Sequence, residues 1–193
     1  MKFFRFVLLL AVVSLSLSLI APAQTEGAQA KAQAPKSEAR KAFEKLKTLA
    51  GAWQGKLTTD PPAPEVQGKD ARLNLQVASL GNTVVHDMSI DGRPDHPFTL
   101  FVVDADRLLL THYCDADNRP RMAGRISPDG KRLEFEFLDV SGNMKYGHMR
   151  RAVFTFIDED HHIEEWTFVQ PGDKATVARF ELRRVSGTTG GSG

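Results

Sequence analysis

From Ser37 the apolar residues Ala39, Phe43, Leu46 and Leu49-Ala50 recur at intervals of three and four, with Lys and Glu between them. That spacing predicts one amphipathic helix with Ser37 as its N-cap and Gly51 at the position just past its end. Beyond Gly51 the period becomes two. Leu133, Phe135 and Phe137 alternate with Arg132, Glu134 and Glu136; Val84, His86, Met88 and Ile90 alternate with Val85, Asp87 and Ser89; Ala152, Phe154 and Phe156 alternate with Arg151, Val153 and Thr155. Alternation of this kind marks strands with one buried face. Turn residues separate the runs: Gly81-Asn82, Asp91-Gly92, Asp104 to Asp106, Asp115 to Asn118, Pro128 to Gly130, Ser141 to Asn143, Asp158 to Asp160 and Pro171-Gly172. Strands are predicted near 52–59, 70–78, 83–90, 97–104, 107–114, 119–127, 132–139, 149–157, 162–169 and 175–185.

Consecutive strands joined by short loops must be antiparallel neighbours. A twisted sheet of about ten such strands leaves two raw edges unless it closes. The fold class is therefore all-β, an up-and-down antiparallel barrel of about ten strands with one short N-terminal helix covering an end. A two-sheet sandwich is the competing architecture. A barrel of this strand number is expected to enclose a cavity.

Composition and charge narrow the classes. With 41% hydrophobic and 25% charged residues, disordered, collagen-like and disulfide-rich chains are excluded. A net charge of +1 gives no basic excess to neutralise phosphates, so nucleic acid is not an expected partner. The single Cys114 excludes an intrachain disulfide and any Cys-rich zinc site.

Residues 1–23 have the form of a secretory signal: Lys2 and Arg5, then the mostly apolar run Val7 to Ile20, then Ala21-Pro22-Ala23 as the cleavage site. The chain is expected to be exported, periplasmic or secreted, with no stable membrane insertion after cleavage. Residues 24–36, rich in Ala, Gln and Lys, read as a flexible linker. Residues 37–185 are expected to form the barrel domain, and 186–193 a disordered Gly/Ser tail.

The stretch from Phe43 through Leu46, Leu49, Gly51, Trp53 and Gly55 resembles the opening of calycin-type barrels, and most of all the nitrobindin-like and related lipocalin-like families. There a short helix leads into Gly-x-Trp on the first strand. The resemblance implies that Trp53 plugs the barrel base and stacks on an Arg of the last strand, which Arg183 or Arg184 would supply. It also brings haem, held in nitrobindins by a late histidine. His161 and His162 are late here but adjoin a turn, and neither is matched to that ligand. The block Thr111 to Cys114 with Asn118 to Met122 is similar to one in uncharacterised exported bacterial proteins of this type.

Candidate chemistry follows from the strand faces. His112 shares a face with Leu108, Leu110 and Cys114, and His86 with Val84, Met88 and Ile90. Both histidines are candidates to enter one cavity, for ligand recognition, as a metal pair or for proton transfer, or as hydrogen-bonded wall residues. Arg121 shares a face with Arg119 and Arg125, opposite Met122. It is either part of a solvated stripe or a grip on a carboxylate at the cavity mouth. Glu164 and Glu165 face opposite sides, so they cannot form a carboxylate pair; one of them points inward or caps an arginine. Trp166 shares the Glu164 face and is read as core or as ligand lining. Cys114 is read as a buried thiol, too loosely placed to pair with His112 as a nucleophile. The expected ligand site is thus His86, Met88, His112, Arg121, Met122 and Trp166, binding a small hydrophobic or amphipathic ligand. No metal site or catalytic residue is implied, and no cofactor unless haem. A binder is favoured over an enzyme.

Overall fold

The computed structural model describes residues 37–186; the leader, the linker and residues 187–193 lie outside the described residues. Helix α1 (Glu38–Lys47) starts as expected, with the Ser37 side chain accepting the Arg40 N–H at 3.2 Å. Glu38 stands in its first turn and Lys45 and Lys47 in its last, each favourable to the helix dipole. It buries Ala39, Ala42, Phe43 and Leu46. The helix stops three residues before the expected Ala50, because the N–H groups of Thr48, Leu49 and Ala50 bond carbonyls three residues back. Gly51 is therefore the first residue of a strand rather than a helix stop. Its φ of +131°, with a Cβ position 2.9 Å from Arg184 Nη1, explains why glycine is needed there.

Ten strands follow: β1 (Gly51–Asp60), β2 (Asp70–Ala78), β3 (Thr83–Ile90), β4 (Phe98–Asp104), β5 (Arg107–Tyr113), β6 (Asn118–Ile126), β7 (Arg132–Gly142), β8 (His148–Phe156), β9 (His161–Gln170) and β10 (Lys174–Arg184). Each pairs antiparallel with its sequence neighbours, and β1 also pairs with β10, so the sheet closes into one barrel and the sandwich alternative falls. At the seam Trp53 faces Arg184 and Leu57 faces Phe180. Gly55 lets the two strands meet, since a Cβ there would fall 1.9 Å from the Glu181 carbonyl oxygen. Register shifts at Arg121/Met122 and Met149/Arg151 bend β7 and β8 with an extra residue each.

The base is plugged as expected. Trp53 is buried, donates its indole N–H to the Leu49 carbonyl at 2.8 Å, and lies under the Arg184 guanidinium, 4.2 Å from the ring centroid. Arg184 also donates to the carbonyls of Thr48, Ala50 and Glu159. The stacking arginine is thus Arg184, not Arg183.

The middle of the barrel departs from the expected hollow. Phe101, Phe135, Phe154 and Trp166 converge there with ring centroids 5.3 to 5.9 Å apart. Rings from β4, β7, β8 and β9 fill the width that ten strands open. Inward apolar side chains keep partial exposure at both ends: Ile90, Met149 and Ala178 away from α1, and Val103 and Ile126 towards it.

Candidate functional site

The polar interior is built by alternation on β9. His162, Glu164 and Trp166 point inward, one above the next, while Glu165 points out and pairs with Arg179 at 3.0 Å. Glu164 is fully buried, and among the described residues it is the only buried acid. Three groups meet its carboxylate: His162 Nε2 at 3.0 Å on one oxygen, and His86 Nε2 at 3.1 Å and the Trp166 indole N–H at 3.0 Å on the other. Burial alone would raise the Glu164 pKa. The imidazoles of His86 and His162, and their hydrogen bonds, overcome this and hold it below the usual carboxylate range. His162 also packs edge-on against Trp53 at 4.2 Å. The cluster therefore ties the plugged base to the middle of the barrel.

His112 lies beside this cluster, on the same rung as Thr99 and His86. Its Nδ1 is 2.8 Å from Thr99 Oγ1, and its ring stacks at 39° on Trp166 with centroids 5.3 Å apart. Burial, then the charge of nearby His86, push its pKa down to about 3, so the ring is neutral at ordinary pH. Among the described residues, the buried side-chain atoms without partners are Nδ1 of His86, Nδ1 of His162 and Oδ1 of Asn118. Nε2 of His112 also has no partner among the described residues, yet is not enclosed as those three are.

Five of the six expected site residues are brought inside. His86, Met88, His112, Met122 and Trp166 are all buried. Arg121 is not among them: it stands on the outer wall, paired with Asp139 at 2.7 Å. The reason is register, since buried Met122, its neighbour on β6, takes the inward position opposite Leu110. Cys114 is half-buried and bonds Asp115; burial pushes its thiol up to about 11, which suits an inert thiol. Two cluster residues that the sequence does not single out are His162, which adjoins a turn, and Glu164, whose orientation its neighbour Glu165 leaves open. The β9 alternation held the signal for both.

At the end away from α1, Ala63 and Val66 of the β1–β2 loop pack against the core. Beside them a cleft of about 500 Å³ is lined by Glu65, Val66, Lys69, Arg93, Asp95 and Asp115, among others. A larger hollow of about 850 Å³ lies at the helix end, lined by Lys45, Lys131, Asp129 and the Asp158–Asp160 turn, with charges of both signs.

Fold and interior together define a closed ten-stranded antiparallel barrel with a buried carboxylate–histidine cluster. No protein-family model matches the chain, and no curated protein matches it in sequence. Several solved structures share the fold, among them the following two. Rv2717c from M. tuberculosis is 16% identical, with a TM-score of 0.57, over 75% of this chain and 97% of that one. A protein of unknown function from the DUF3598 family of Nostoc punctiforme is 12% identical, with a TM-score of 0.50, over 72% of this chain; the match spans about half of that longer protein, 49%.

Proposed function

We propose that the chain is an exported, lipocalin-like barrel that binds a small, largely apolar ligand at the end away from α1. The observation that carries this reading is His112: a neutral imidazole with one nitrogen free, stacked on a Trp166 ring that Glu164 holds in place. Ile90, Met149 and Ala178 are half-buried apolar side chains on the inward faces of β3, β8 and β10, Ala178 opposite Trp166. Apolar walls with one convergent polar group are the ordinary composition of a small-molecule site. Met88 and Met122 supply side chains that repack around a guest. His86 and Glu164, fully enclosed and bonded to each other, position Trp166 rather than meet the ligand.

The late histidines do not fit haem. His162 is enclosed between Trp53 and Glu164, and His161 is bonded to Asp158 at the surface. Of the three buried histidines, His86 and His162 are bonded to Glu164, which leaves His112 as the candidate iron ligand or proton donor. The deciding experiment titrates the protein with the neutral probe N-phenyl-1-naphthylamine. Saturable binding that raises the melting temperature, and that weakens when Ala178→Trp fills the mouth, supports the reading. No saturable binding overturns it. A visible absorption band on adding haem, lost in His112→Ala, would replace it with the haem reading.

A further inference from the structure

The charges of this barrel are sorted in a way that bears on what it can hold. Resting on the reading just given, we propose that the ligand is uncharged: an alcohol, ketone, aldehyde or phenol whose single oxygen meets His112 Nε2, and neither a carboxylate nor an amine.

Three observations carry this. First, among the described residues no lysine or arginine is buried, and Arg121, the cation nearest in sequence to the inward methionine, is turned out onto Asp139. A carboxylate drawn in to His112 would shed its water with no cation to receive it, which costs several kcal/mol per ion. Second, the one buried carboxylate, Glu164, already accepts from His86, His162 and Trp166, so an ammonium group finds no free acid inside. Third, the cleft at that end also disfavours anions. Glu65, Asp95 and Asp115 face Lys69 and Arg93, and Arg93 is already committed to Asp95 at 2.7 Å and Asp115 at 3.5 Å.

What remains for a polar atom is the imidazole nitrogen. Thr99 either donates its hydroxyl to Nδ1, leaving an N–H at Nε2, or accepts from Nδ1–H, leaving a lone pair there. A hydroxyl group satisfies both tautomers, and a carbonyl satisfies the first. Burial keeps the ring neutral, so it offers no charge to an anion at pH 7.

The test is a matched series of one chain length: 1-decanol, decanoic acid and decylamine, each displacing bound N-phenyl-1-naphthylamine at pH 7.5. Decanol should displace the probe at concentrations at least about tenfold below the other two. Decanoic acid should strengthen as the pH is lowered towards its own pKa, where it loses its charge. In His112→Leu the decanol advantage over the probe should fall by about tenfold while the probe still binds. Decanoate or decylamine binding as tightly as decanol, or a decanol affinity indifferent to His112→Leu, would overturn the proposal and leave the binding site standing. Failure of the probe itself to bind would remove the site, and with it this inference.

Discussion

Glu164 is the residue on which most of the polar interior depends, because three donors from β3 and β9 share its two oxygens. Glu164→Ala should lower stability by about 3–5 kcal/mol in denaturant melts, since it strands two imidazoles and an indole N–H without partners. Glu164→Gln, which keeps an acceptor, should lose less. Arg184→Ala removes the cover of Trp53 and bonds to three backbone carbonyls, and should cost about 2 kcal/mol. Acid should unfold the protein in two ways. His112 has a folded pKa of about 3, well below its unfolded value near 6.5, so the unfolded chain takes up a proton the folded one refuses. Its contribution is complete above about pH 6.5 and declines as the pH falls through that value towards 3. Glu164, also depressed, adds a further loss below about pH 4.3. Melting temperature against pH should therefore slope downward from pH 6.5, and His112→Asn should flatten the slope between pH 4 and 6.5. The inward placement of His86, Met88, His112 and Trp166 was legible from two-residue alternation alone. The bond between His86 and Glu164 was not, because 78 residues separate them and no local pattern reports which faces meet across a barrel.

At the scale of elements, the strand limits follow the turn residues closely, and the helix begins at its cap. Two kinds of feature stayed hidden. The helix end depends on tight backbone bonds at Thr48 to Ala50 and not on the glycine that follows. The bulges beside Arg121 and Met149 are registers between strands, which one strand's own alternation does not contain. Close approach of strands makes a sharper prediction. Gly55→Ala sets a Cβ against the Glu181 backbone and should cost about 3 kcal/mol. Gly130→Ala, with positive φ but open space, should cost about 1 kcal/mol. Equal losses in thermal melts would mean that strand contact at the seam is not what Gly55 provides.

For the whole molecule, strand number and short loops were enough to predict closure, since a sheet this large has few other ways to hide its edges. They did not predict the filled middle. Barrel width follows from strand count, but whether side chains occupy it depends on which rings meet, and Phe101, Phe135, Phe154 and Trp166 come from four different strands. The seam between β1 and β10 has one more consequence. Among the described residues the edge of β1 that β10 covers has no other partner, and β10 comes after the other nine strands in chain order. A ribosome, which releases the chain N-terminus first, thus delivers an unclosed ribbon until Arg184 has emerged. Holdase chaperones that shield such ribbons should matter to the yield of this protein in proportion to how slowly its final strand arrives.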